Sequence, residues 1–212
     1  HVLSRETRFI IADGDLVEEK NLIRQNFIQS DIGRNKAQVL AERYADTFGL
    51  TAQYIPEYIE DEDRLYSLLQ SQLYRPELVI LIGAVDNNKS RALCHRVFTR
   101  LRDLIYIDAG NSEDSGQVVC GIRRSGKTFF APVASLYPEV LEPADRFPSE
   151  LSCAEAAQAA PQSMIANLMA ATAVVAFVYN ILTAGNLSVH AANFSTASIH
   201  MRPVKKQPKR KG

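Results

Sequence analysis

The residues best suited to chemistry come early. From Ile10 to Gln25 the chain reads Ile-Ile-Ala-Asp-Gly-Asp-Leu-Val-Glu-Glu-Lys-Asn-Leu-Ile-Arg-Gln. An aliphatic run that ends in Asp-Gly-Asp predicts a buried strand delivering carboxylates at its carboxyl edge, where open α/β sheets bind ligands. A carboxylate at Asp13 suits the hydroxyls of a ribose. Arg24 follows, and Asp31-Ile32-Gly33-Arg34-Asn35-Lys36 adds an ammonium at Lys36. A positioned guanidinium and ammonium stabilise charge that develops on a phosphate chain. Taken singly, Arg24 reads as a helix cap and Lys36 as a solvated helix start. A second aliphatic run, Leu78 to Gly83, leads into Ala84-Val85-Asp86-Asn87, which adds another acid and amide.

The elements that must hold these groups are legible in periodicity. Arg8 to Ala12 is the first strand. From Lys36 to Phe48 the apolar positions Ala37, Leu40, Ala41, Tyr44 and Phe48 recur at helical steps. Thr51 to Ile55 alternates as a short strand stopped by Pro56, and Asp61 to Leu73 predicts a helix with Leu65, Leu68, Leu69 and Leu73 on one side. Leu78 to Gly83 predicts a strand buried on both faces by helices. Lys89 to Leu101 is a further helix with Ala92, Leu93, Val97 and Leu101 inward, and Leu104 to Asp108 a further strand. This βαβαβ alternation predicts a mostly parallel sheet flanked by helices. Gly116 to Ile122 and Thr128 to Ala131 then read as a hairpin that extends the sheet in antiparallel fashion. Residues Ala134 to Glu150, with Pro138, Pro143 and Pro148, read as loop. An apolar helix from Pro161 and two strands, Val189 to Phe194 and Ser198 to Met201, complete the pattern. His1 to Ser4 reads as a helix end, so a further segment is expected before it.

With 212 residues, 46% of them hydrophobic, the chain suits one large domain over residues 1–204. The formal net charge is zero, yet six of the 24 basic residues fall in the last eleven positions with no acid among them. Residues 205–212 therefore read as a basic, disordered tail, the one part suited to nucleic acid or an acidic partner. Met164 to Leu182 has the length of a minimal membrane span. Asn167, Thr172 and Asn180 within it favour a helix buried in a core or dimer interface, so a homodimer and no membrane association are expected. No amino-terminal secretory signal is present in these residues, and Cys94, Cys120 and Cys153 are odd in number and far apart. A disulfide framework or local zinc site is not indicated, and a reducing cytoplasm fits. Cys94 and Cys120 read as packing residues.

Taken together, Asp13–Gln25, Asp31–Lys36 and Val85–Asn87 resemble the ThiF/MoeB/ubiquitin-activating-enzyme superfamily. That resemblance implies a Rossmann-like α/β fold and ATP-dependent adenylation of the C-terminal carboxylate of a ubiquitin-like or small carrier protein. It implies ribose contact by Asp13, a nucleotide-binding element at Asn21, Arg24, Gln25, Lys36 and Asn87, catalytic roles for Arg24, Lys36 and Asp86, and magnesium held at Asp86. Arg91 reads as support for that site or as the partner of an acid. Cys153, before Ala154-Glu155 and Pro161-Gln162, resembles the thiol of sulfur-transfer members; on its own it reads as a buried thiol at a helix start. The family's Gly-x-Gly-x-x-Gly loop, its Cys-Thr before Asp-Asn and its paired zinc cysteines are not found among these residues. A nucleotide-free pseudoenzyme, keeping the fold for dimerisation or docking, is the alternative. A nicotinamide-dependent oxidoreductase would leave Arg24 and Lys36 without duties.

Overall fold

The computed structural model describes residues 6–70, 77–151 and 163–204. The chain divides into two compact units, His1–Glu60 with Pro148–Glu150, and Asp61–Phe147 with Leu151–Gly212. In the first unit, β1 (Arg8–Ala12) pairs in parallel with β2 (Thr51–Ile55), in a register running from Arg8 opposite Thr51 to Ala12 opposite Ile55. The crossover between them carries α1 (Glu19–Arg24) and α2 (Lys36–Phe48). Asn35 caps α2 by accepting the Gln38 N–H at 3.0 Å, and Gly49 ends it in the left-handed region at φ 64°, which glycine adopts without a Cβ penalty. The buried face of α2 is wider than the predicted stripe. Val39 joins Ala37 and Ala41, because the Val17 and Phe27 side chains cover a second side of the helix. Phe48 is exposed and stacks on Tyr44.

The second unit holds α3 (Glu62–Leu69), β3 (Ile80–Gly83), α4 (Asn88–Arg100), β4 (Leu104–Asn111), β5 (Ser115–Arg124), β6 (Lys127–Phe130), α5 (Val133–Leu136), α6 (Met164–Ala184), β7 (Ala191–Ser195) and β8 (His200–Pro203). Its sheet runs β3-β4-β5-β7-β8, with β6 on the same edge of β5 as β7. β3 and β4 are parallel, and every other pair in this sheet is antiparallel. The α/β class and the helix-flanked parallel pairs agree with the sequence pattern, whereas the weighting toward parallel strands does not. The antiparallel extension is larger than one hairpin, since β7 and β8 also join it. A parallel neighbour needs a long crossover, and the short connections after β4, β5 and β7 permit only reversal.

The strand expected to be buried on both faces, Leu78 to Gly83, behaves differently. Among the described residues β3 pairs only with β4, so it is an edge strand, and Leu78 and Ile82 are exposed. The deeply buried strand is β4, whose first five residues are all inaccessible. The core forms where α6 lies on β4 and β5: Ala166, Ala170, Ala173, Phe177 and Ile181 meet Ile105, Ile107, Val118, Cys120 and Phe194. Alanines on the inner face let the helix backbone approach the sheet closely. Ser163 caps α6 at the Ala166 N–H, 3.0 Å, and Gly185 ends it. Among the described residues α6 is the one helix long and apolar enough to cross a membrane. One of its faces is packed on the sheet, as expected of a core helix. The proline-rich 134–150 stretch predicted as loop contains the end of α5 and two 3-10 turns, Pro138–Leu141 and Pro148–Glu150.

Candidate functional site

At the carboxyl end of β1, hydrogen bonding takes over as the strand stops. The Asp13 N–H donates to the Ile55 carbonyl at 3.2 Å, extending the β1-β2 pairing by one residue. The Asp13 carboxylate then accepts the Asp15 N–H at 2.8 Å, which turns the chain. Asn35 ties this turn to the start of α2. Its amide donates to the carbonyls of Asp13 at 2.7 Å and Asp15 at 3.1 Å, while its oxygen caps the helix. The Lys36 N–H donates to the Asp15 carbonyl and the Val17 N–H to the Arg34 carbonyl, so the two loops form one rigid rim.

Lys36 is consequently held over the turn. Its Nζ lies 2.7 Å from Asp15 Oδ2, with the lysine side chain 12% exposed and the aspartate 47%. The Tyr58 hydroxyl donates to the other Asp15 oxygen. Burial acts to raise the Asp15 carboxyl, but the hydrogen bonds from Lys36 and Tyr58 and the ammonium charge outweigh it and hold the pKa below the ordinary carboxylate value. Burial, followed by the Asp15 interaction, pushes the Tyr58 phenol well above its usual value. Gly14 is required here by space: a Cβ on it would stand 2.6 Å from the Tyr58 ring.

The remaining members of the first element are arranged less directly. Asn21 is 1% exposed, and its side-chain oxygen accepts the Glu18 N–H at 2.9 Å, so its amide shapes the start of α1. Arg24, in the last turn of α1, is half-buried and has no hydrogen-bond or ion-pair partner among the described residues. Gln25 follows it, with a buried Oε1 that is likewise unpartnered among them. Asp13, Asp15, Asn35, Lys36 and Tyr58 thus form one bonded network, and no hydrogen bond links Arg24 or Gln25 to it.

In the second unit, the turn after β3 carries Asp86 and Asn87. Asn87 caps α4, its Oδ1 accepting the Ser90 N–H at 2.7 Å. The Asp86 carboxylate is exposed and has no partner among the described residues. Arg91 supports the turn, and its partner acid is the wholly buried Asp108. Asp145 accepts the N–H groups of Asn88 and Lys89 at the start of α4. Among the described residues no group of three or more His, Cys, Asp or Glu side chains could enclose a metal. A lone exposed carboxylate at Asp86 still fits magnesium, which takes one or two carboxylates and completes its shell with water and phosphates. Cys153 lies outside the described residues. Cys94 and Cys120 are buried free thiols, each pushed up to about 12 by burial, so neither is a thiolate at neutral pH and both are packing residues, as expected. A cavity of about 250 Å³ at the end of α6, lined by Phe177, Asn180 and Leu187 among others, includes none of the expected site residues.

Asp15, Asn35, Tyr58 and Asp108 hold places in these networks that residue type and spacing alone do not assign. Asn35 carried a usable signal, an Asn immediately before an amphipathic helix. Asp15 was visible in Asp-Gly-Asp, but nothing local marks Tyr58, 43 residues away in the chain.

Comparison with known proteins supplies the wider context. The ThiF family profile matches residues 7–212. None of the curated proteins compared with the chain matches it in sequence. Several solved structures share its fold. E. coli MccB with ATP superposes with a TM-score of 0.60 at 20% identity, covering 92% of this chain and 55% of that one. The microcin C7 biosynthetic enzyme MccB in complex with N-formylated MccA gives 0.63 at 20% identity, covering 92% and 56%. PaaA gives 0.62 at 17% identity, covering 93% and 63%. The chain therefore spans little more than half the length of MccB. With the family pattern matched from Thr7 to the last residue, the chain belongs to the ThiF family.

Proposed function

We propose that this chain is part of an ATP-dependent adenylyltransferase that activates the C-terminal carboxylate of a small carrier protein or peptide, a ubiquitin-like protein being one member of that class. The observation that carries this reading is the rim at the carboxyl end of the parallel β1-β2 pair, where Asn35 locks Asp13 and Lys36 into adjoining loops. A carboxylate for ribose hydroxyls and an ammonium for phosphate oxygens are thereby held together before any ligand arrives. Membership of the ThiF family and the fold shared with MccB, solved with ATP and with MccA, support it.

In the reaction, a substrate carboxylate oxygen attacks the α-phosphorus of ATP and the bond to the bridging oxygen breaks, releasing pyrophosphate. Lys36 and Arg24 offset the charge on the phosphate oxygens, Asp13 holds the ribose, and Asn21, Gln25 and Asn87 complete the nucleotide surroundings. Magnesium held at Asp86 would supply further charge neutralisation. Lys36 reaches a phosphate by exchanging Asp15 for it, an exchange between two anionic oxygen partners. Cys153 has no role in forming the acyl-adenylate and acts, as a nucleophile, only afterwards.

The test is exchange of labelled pyrophosphate into ATP by the intact polypeptide, with a ubiquitin-like protein and with a short peptide, each bearing a free C-terminal carboxylate. Exchange that is lost in Lys36→Ala and Asp86→Ala but retained in Cys153→Ala is expected. Equal ATP affinity in wild type, Lys36→Ala and Asp86→Ala by calorimetry defeats the site assignment. Absence of exchange together with absence of ATP binding points to the pseudoenzyme scaffold.

The same proposal includes a homodimer. The face of α6 away from the sheet exposes Ile165, Leu168, Val175 and Tyr179, and the helix contains no charged residue. Such a face is covered most simply by a second copy. A monomeric mass by light scattering at micromolar concentration removes this part. A reducing cytoplasm, consistent with the free thiols of Cys94 and Cys120, is the proposed location.

A further inference from the structure

Asp86 and Asn87 sit on a turn, and a turn presents its side chains only as well as its backbone is held. The Asp86 carboxylate itself is exposed and unpartnered among the described residues, so its direction is set by the residues on either side. The two residues that flank the Asp86-Asn87 pair, Val85 and Asn88, are both bonded to one guanidinium. Arg91 Nη2 donates to the Val85 carbonyl, and Arg91 Nη1 donates to Asn88 Oδ1 at 3.2 Å. Val85 directly precedes Asp86, and Asn88 directly follows Asn87.

The guanidinium is anchored in turn from beneath. Its Nε donates to Asp108 Oδ1 at 3.3 Å, and the Tyr106 hydroxyl donates to Asp108 Oδ2 at 2.8 Å. Asp108 and Tyr106 are both wholly buried, on β4, while the Arg91 side chain is 12% exposed. Two glycines leave the space. A Cβ on Gly83, the last residue of β3, would stand 3.0 Å from the Tyr106 ring and 3.3 Å from Asp108 Oδ2. A Cβ on Gly110 would stand 3.1 Å from Arg91 Nη2 and 2.8 Å from Gln117 Nε2.

A buried ion pair must overcome the desolvation of two charges, and apolar side chains of similar volume fill such a space at least as stably. What apolar side chains cannot do is hold direction. The rigid fork of an arginine bonds three acceptors at fixed angles, a geometry that a lysine cannot reproduce. We propose that Arg91, Asp108 and Tyr106 are positioning residues that set the conformation of the Val85–Asn88 turn and with it the presentation of Asp86 and Asn87. The importance of that turn rests on the adenylation reading; how the turn is held does not.

Two measurements on the intact polypeptide test this, with Arg91→Lys as the main variant because it keeps the positive charge beside Asp108 and loses the fork. The first is pyrophosphate exchange with a short peptide bearing a free C-terminal carboxylate. A misplacement of about 1 Å costs on the order of 100-fold in rate. A fall in kcat of about that size is expected, together with a smaller rise in the KM for ATP. The second is hydrogen exchange, expected to quicken at residues 84–90 and to stay unchanged in the last two turns of α4. Wild-type kcat in Arg91→Lys overturns the proposal, and so does faster hydrogen exchange along the whole of α4, which marks a merely structural role. If the wild type itself gives no pyrophosphate exchange, the adenylation reading fails for that substrate, and hydrogen exchange alone decides the positioning: quickening confined to 84–90 upholds it and no change overturns it. Where Arg91→Lys fails to fold by circular dichroism, Tyr106→Phe, which removes one bond to Asp108 and leaves the fork, takes its place with the same two readouts and a smaller fall in kcat.

Discussion

Two regions that carry expected site residues, one in each unit, are held in opposite ways. The Asp13–Lys36 rim in the first unit is tied together by Asn35 and by backbone hydrogen bonds, and its ion pair, Lys36 with Asp15, includes a half-exposed carboxylate. The Val85–Asn88 turn in the second unit is bonded by Asp145 at the Asn88 N–H and by Arg91, whose acid, Asp108, is wholly buried. A pair whose carboxylate is half-exposed is weak enough for one partner to be exchanged for a ligand. A buried pair is costly to open and therefore suits holding a backbone still. Under the proposed reaction, the lysine that reaches a phosphate and the turn that stays fixed each have the corresponding kind of partner.

Truncating the acids is the strongest way to break this comparison. Asp108→Ala leaves the Arg91 guanidinium buried without its counter-charge and is expected to cost about 3–5 kcal/mol in urea unfolding. Asp15→Ala is expected to cost about 1 kcal/mol or less, because Lys36 can turn toward water. Equal losses in the two variants would show that both pairs serve the same purpose.

Acid sharpens it with a smaller effect. The folded pKa of Asp15 is held below its unfolded value, so its contribution to stability is present above about pH 4 and is lost as the pH falls through the lower, folded value. Burial raises the Asp108 carboxyl despite Arg91 and Tyr106, which reverses the sign: its contribution is full below the unfolded value and is lost as the pH rises through the folded one. Unfolding free energies measured between about pH 3 and pH 7 should therefore diverge. Relative to wild type, Asp15→Asn is expected to flatten the loss of stability toward acid, and Asp108→Asn to steepen it. Identical pH profiles in the two variants would refute the contrast.

The periodic elements were legible because their signals are local. Lys36–Phe48 and Thr51–Ile55 begin and end where the spacing of apolar residues, the Asn35 cap and Pro56 place them. Leu78 to Gly83 misled because an apolar run records how hydrophobic a strand is, and not how many neighbours cover it. Asp13, Lys36, Asp86 and Asn87 stand beside strand ends and helix starts, where the order of apolar runs and polar residues in the sequence puts them. Sequence by itself determined the α/β class, the crossover helices and the places where polar groups leave the strands, all properties of a few adjacent residues. Only the tertiary structure decided that Tyr58 would reach Asp15, that β7 and β8 would lengthen the sheet, and that Asp108 would lie beneath Arg91. Those outcomes depend on residues distant in the chain competing for the same space and the same hydrogen-bonding partners, a competition settled only when the whole fold is packed.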